Sequence, residues 1–182
     1  QHHLAVAIPD VPDTYYMDQP WTECFTETFL TAEFLPALQT KYPLPHGTAC
    51  TAVAGISMGG FGTWEMICAY PDLFAAAGPI CGGGVPWRLL GLTHFPPIRT
   101  FHGLCDTVVD PIESLQMAKA VNLHGGHAEL ILFPEQGHNC FYTVYSDEKN
   151  YDWLLSFTAS QDRDLTEDPS LANYSSKKRD KF

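Results

Sequence analysis

"AVAGISMGGFGTWEM" runs from Ala52 to Met66, and how it is read decides the fold. It opens as an apolar run, packs Ser57 between glycines where a strand would normally continue, and goes on in residues that suit a helix. A strand, then Gly55-Ile56-Ser57-Met58-Gly59, then a helix is the context in which G-x-S-x-G makes a nucleophile elbow. The turn strains the serine backbone and makes its hydroxyl project from the sheet. Glycines are required on either side because strand and helix approach too closely for larger side chains. The following helix aims its free N–H groups and its dipole at the same point.

Outward from this stretch, the chain alternates between strands and helices. Toward the amino terminus, Leu4 to Ile8 is an apolar run stopped by Pro9 and Asp10, which predicts a buried parallel strand. Asp10 to Pro20 reads as a loop. Thr22 to Tyr42 reads as helix, with Phe25, Phe29 and Ala32 on one face and Pro36 kinking it or starting a second helix. Around the quoted stretch, Thr51 to Ile56 is a strand and Met58 to Ala69 a helix that Tyr70-Pro71 ends. Beyond it come a strand at Phe74 to Ile80 that runs into Gly82-Gly83-Gly84, and another at Arg99 to His102. Pro111 to Leu123 is a helix with Gly125-Gly126 past its end. Ala128 to Phe133 is the last strand and Asp147 to Phe157 the last helix. This alternation predicts an α/β fold, a mostly parallel sheet with helices on both faces. The folded domain is expected over residues 1–159, followed by a polar, loosely attached tail over 160–182.

In parallel sheets, chemistry collects at the carboxyl ends of strands. A serine hydroxyl is a weak nucleophile that needs a base, and the base needs an orienting acid. Asp106 lies in the loop after one strand and His138 in the loop after the last, so the order along the chain is Ser, Asp, His, as in the α/β-hydrolase fold. Asp110 is the competing acid, but it directly precedes a helix and reads as an N-cap. His102 lies in a strand, while His124 and His127 flank a turn; these read as packing or surface residues.

The chain resembles the esterase D and tributyrin-esterase-like group of α/β-hydrolases, which includes feruloyl and acetylxylan esterases. The resemblance rests on "VAIPD", "EFLPAL", "AGISMGGFGTWEM", "YPDLFAAAGPICGG", "FHGLCDTVVD" and "PEQGHNCF", in that order. It implies Ser57 as nucleophile, Asp106 as acid and His138 as general base, with the Met58 N–H as one oxyanion donor. The family's early strands, and the HG-type loop that gives the second donor, would precede Leu4. An amino-terminally shortened hydrolase is therefore expected, and its second oxyanion donor stays open.

Composition bounds the partners. The 182 residues are 45% hydrophobic and 17% charged, with a net charge of -11, which argues against nucleic acid or an anionic membrane as partner. No apolar stretch has the length of a membrane span, and nothing at the start reads as a signal peptide. The six cysteines include no CxxC pair, so no metal is expected. An even count permits disulfides, but the thiols read as free and mostly buried; the compartment stays undecided, with cytoplasmic slightly ahead of secreted. Phosphate-cradling and dinucleotide patterns are missing, so no cofactor is expected. Aromatics on the catalytic edge are candidates for the substrate walls: Tyr15, Tyr16 and Trp21 after the first strand, Trp87 after the glycine loop, and Phe141 after His138. With no lid-sized apolar insertion, the expected activity is that of a serine carboxylesterase cleaving short-chain acyl or aryl esters of small molecules. A serine peptidase or acyltransferase with the same triad, or a non-catalytic binding protein on this fold, are the alternatives. Sheet edges left open by a shortened chain would favour a homo-oligomer.

Overall fold

A computed structural model describes residues 4–44 and 49–159. The tail expected from residue 160 onward lies outside the described residues. Within them the chain divides into two compact units, one in 4–44 and the other in 49–159.

The first unit is small and mostly helical. Strands β1 (Asp18–Gln19) and β2 (Cys24–Phe25) form a short antiparallel pair around a 3-10 turn at Pro20–Thr22. Helix α1 (Thr26–Phe29) passes through a π turn at Leu30–Phe34 into α2 (Leu35–Lys41). Pro36 thus sits at the start of α2, directly after the π turn, where the chain is already helical and its missing N–H leaves a gap in the ladder. The expected apolar face is only half-buried at Phe25, Phe29 and Ala32, whereas Thr26, Thr28 and Thr31 are buried. Hydrogen bonds make this tolerable: Thr14 and Thr26 share one at 2.7 Å, and Asp18 accepts the Thr28 N–H at 3.0 Å and its hydroxyl. Leu4–Ile8 is a correction to the sequence reading. The run forms no strand, and Leu4, Val6 and Ile8 are exposed. An apolar run becomes a strand only where a neighbour offers its backbone N–H and C=O groups for pairing, and among the described residues none pairs with it.

The second unit is the expected α/β layer structure. Strands β3 (Ala52–Ile56), β4 (Ala76–Ile80), β5 (Ile98–Gly103) and β6 (Ala128–Phe133) are all parallel and lie side by side in sequence order. Helices α3 (Met58–Ala69) and α4 (Ile112–Leu123) run between strands, and α5 (Phe141–Ser146) and α6 (Glu148–Leu154) follow β6. Strand parity assigns the faces. Val53, Ala77, Ile98 and Ala128 meet Trp64 and Ile67 of α3 and Met117, Ala118 and Val121 of α4. The opposite parity, Ile56, Ile80, Phe101, Ile131 and Phe133, packs with Cys140, Phe141 and Val144. Both faces are therefore covered, and the strands read as near-continuous apolar runs for that reason. Arg99 of β5 bonds Glu129 of β6 at 2.7 Å and lies 4.5 Å from the Trp153 ring centre, which holds α6 against this layer.

Candidate active site

Ser57 joins β3 to α3 with φ 51° and ψ -116°, a left-handed conformation that costs a non-glycine residue of order 1–3 kcal/mol. Its backbone is fixed on both sides, since its N–H donates to the Ile80 carbonyl at 2.9 Å and its carbonyl accepts from the Phe61 N–H at 3.0 Å. Gly55 explains the tightness of the corner: a Cβ there would stand 2.4 Å from the Gly59 carbonyl oxygen. Met58 opens α3, in the turn whose N–H groups lack intrahelical acceptors. The Ser57 side chain is half-buried and makes no hydrogen bond to His138 or to any other described residue.

Asp106 sits just past the end of β5 and is buried. One of its oxygens accepts the N–H groups of Val108 at 2.8 Å and Val109 at 3.0 Å; the other meets His138 Nδ1 at 2.7 Å. A carboxylate can only accept, so Nδ1 carries a proton, and in the neutral ring Nε2 then keeps its lone pair. Burial by itself pushes the Asp106 carboxyl up. The Val109 N–H, the His138 ring and the Val108 N–H outweigh it and hold the carboxyl below its ordinary value.

His138 follows β6 in a 3-10 turn, His138–Cys140, with its side chain 23% exposed. Gly103 allows the Asp106 and His138 turns to meet, because a Cβ there would be 2.3 Å from the Gln136 carbonyl oxygen. Asp110 is elsewhere occupied: its carboxylate accepts the Ile112 N–H at 2.9 Å at the start of α4.

His102 adds a layer that sequence reasoning missed. It is wholly buried, with Nδ1 2.7 Å from the Ser114 hydroxyl, Nε2 3.0 Å from the Val109 carbonyl and 3.3 Å from Asp106. Ser114 in turn donates to the Gly82 carbonyl at 2.7 Å. The signal in the sequence was its place on β5, four residues before Asp106, but strand position alone does not say what a ring will touch. Among the described residues, Cys81, His102 and Asp106 are the group with possible metal-ligand atoms within 4.8 Å of one another. Their polar atoms are already engaged with Cys140, Ser114, Val109 and His138, so the cluster reads as a hydrogen-bond network.

The aromatic candidates fall in both units. Tyr15, Tyr16 and Trp21 belong to the first unit, Tyr15 and Tyr16 with positive φ and Trp21 on the exposed 3-10 turn. Trp87 is exposed on the 3-10 turn Pro86–Leu89, and Phe141 packs on the Ile80–Phe101 cluster beside Tyr142 at 4.3 Å. The cysteines differ from expectation as well. Cys81 and Cys140 are buried, but Cys24 and Cys68 are intermediate and Cys50 and Cys105 exposed.

A four-stranded parallel sheet whose first strand turns through a left-handed serine into a helix, with an Asp–His pair at the ends of its last two strands, has the α/β-hydrolase fold. The chain belongs to the esterase family, whose model, described as "Putative esterase", matches residues 9–108. That match holds Ser57 and Asp106 and ends before His138. Among solved structures, a thermostable esterase is 28% identical with a TM-score of 0.62, over 69% of this chain and 35% of its own. A ferulic acid esterase is 18% identical with a TM-score of 0.65, over 77% of this chain and 63% of its own. An S-formylglutathione hydrolase from Agrobacterium tumefaciens is 15% identical with a TM-score of 0.64, over 80% and 62%; these two are likenesses of fold. The chain therefore spans about a third of the first of these proteins and less than two thirds of the other two. No curated protein matches it. No helix among the described residues is long and apolar enough to cross a membrane.

Proposed function

We propose that this chain carries the catalytic centre of a serine carboxylesterase acting on short-chain acyl or aryl esters of small molecules. Ser57 attacks the ester carbonyl while His138 Nε2 takes its proton, and Asp106 holds the ring and stabilises the imidazolium that forms. His138 returns the proton to the leaving alcohol, and a water activated by the same ring then releases the acyl group from Ser57. The Met58 N–H supports the oxyanion at the head of α3. The observation that carries this reading is the 2.7 Å bond from His138 Nδ1 to a buried Asp106, since it fixes the tautomer whose other nitrogen can act as base. The open Ser57–His138 pairing is compatible with it, because catalytic hydrogen bonds are often long before substrate binds.

The test is turnover of p-nitrophenyl butyrate beside that of an amide of the same acyl group. Ester cleavage that falls by roughly 10⁴–10⁶ in Ser57→Ala and in His138→Ala, with circular dichroism unchanged, is the expected result. Faster cleavage of the amide would move the reading to a peptidase. A folded chain that cleaves neither would remove it.

A further inference from the structure

Cys81 and Cys140 are both wholly buried, and their sulfurs lie 3.1 Å apart across 59 positions of sequence. Each stands at a point that matters for the site. Cys81 follows β4 directly, with a left-handed φ of 47°. Its neighbour Ile80 holds the Ser57 N–H, and its own N–H donates to Phe101 of β5 at 2.9 Å. Cys140 lies in the same 3-10 turn as His138, and the Cys81 sulfur also reaches the His138 carbonyl at 3.6 Å. Joining the two sulfurs would therefore tie the end of the strand that anchors the serine to the segment that bears the histidine.

We propose that Cys81 and Cys140 form a reversible disulfide site that fastens the His138 segment to the end of β4, with a low-molecular-weight disulfide of the glutathione type as its oxidant. A disulfide needs sulfurs about 2.05 Å apart, so the side chains have only about 1 Å to close. The two sulfurs share one S–H contact, in which either can be the donor. That bond and burial push the Cys81 thiol up, and the same bond draws the Cys140 thiol down. The Cys140 thiolate attacks one sulfur of the small disulfide, forming a mixed disulfide and expelling one thiolate. The Cys81 sulfur, giving up its proton to solvent, then attacks the Cys140 sulfur, forming the internal bond and expelling the second. Two protein thiols are oxidised, one small disulfide is reduced, and the two released thiolates take up the two protons. Both sulfurs are buried, so the first step requires the 3-10 turn and α5 of His138–Ser146 to undock, a local opening that needs less than global unfolding. The remaining thiols are not rivals. Burial pushes Cys68 up to about 11, and among the described residues no other two cysteines are in contact. All six thiols are free in the structure, as the sequence reading expects, and the proposed link is the oxidised form of one pair.

The linkage is read by mass and without substrate, so it stands or falls independently of the esterase reading. The 182-residue chain is incubated with oxidised glutathione, alkylated with N-ethylmaleimide, digested without reduction and mapped by mass spectrometry. The expected product is one Cys81–Cys140 linked peptide, lost on treatment with dithiothreitol, together with a higher urea midpoint for the oxidised than for the reduced chain. Cys140→Ala should abolish both the link and the difference in midpoint. Recovery of Cys81 and Cys140 only as alkylated or glutathione-capped peptides would overturn the proposal, and so would linkage of either to another cysteine. An internal bond that leaves the urea midpoint unchanged would overturn the fastening role.

Discussion

At the scale of single residues, the site depends on backbone that approaches too closely for ordinary side chains. Gly103 is the sharpest case. Gln136 and Gly137 present carbonyl oxygens 2.3 and 2.4 Å from where its Cβ would be, and backbone cannot move aside as a flexible side chain can. Gly103→Ala should therefore push the Asp106 and His138 turns apart. Expected are a stability loss of about 1–3 kcal/mol, the usual cost of overpacking, and a fall in kcat/KM greater than tenfold. Urea unfolding and ester kinetics on the same sample read both effects, and an unchanged kcat/KM would show that the two turns meet without needing this close approach. Ser57 was legible from sequence because its elbow is entirely local: strand, glycines and helix are consecutive. His102 and the Cys81–Cys140 contact were not, because their partners come from other strands and a linear pattern carries no record of which side chains the sheet brings together.

At the scale of elements, the alternation of apolar runs with helical stretches gave four parallel strands and the helices between them, with ends within a few residues. The misreadings have separate causes. Leu4–Ile8 has the composition of a strand and no pairing partner, while His138–Ser146 folds into a 3-10 turn and a short helix that no long periodicity announces. Leu4–Ile8 is as long as β3 and β4, so what it lacks is a partner among the described residues, which a linear pattern does not record, whereas the second segment is too short for a helical period to show. The start of α4 separates two neighbouring acids by the element each serves. Asp110→Ala removes an acceptor from the first turn of α4 and should cost about 1 kcal/mol of stability while leaving kcat nearly as it is. Asp106→Asn, by contrast, should lower kcat by about 10⁴, as loss of the carboxylate does in serine protease triads. Measured side by side in one buffer, the reverse ranking of the two kcat values would show that the acid has been misassigned.

At the scale of the whole molecule, the same carboxylate gives folding a pH dependence. Asp106 is held below its ordinary value of 3.8 when folded, so the folded state binds its proton less readily than the unfolded chain. Its contribution to stability is then complete above that ordinary value and fades as pH falls through and below it. Urea midpoints should decline on acidification through this window, and the decline attributable to this group should be missing in Asp106→Asn. A variant that tracks the wild type throughout would show that the buried carboxylate does not govern acid stability. The sheet itself carries a further consequence. Its strands stand in space in the order in which they occur in the chain, so during synthesis the sheet grows along one edge. A ribosome releases the serine elbow with the earliest of these strands and the histidine only after the latest. Under the proposed function, a nascent chain displays the Ser57 hydroxyl before His138, its proposed base, has been delivered. Under that reading, ester cleavage begins only once β6 and the His138 turn have docked, which makes its onset a clock for that docking step.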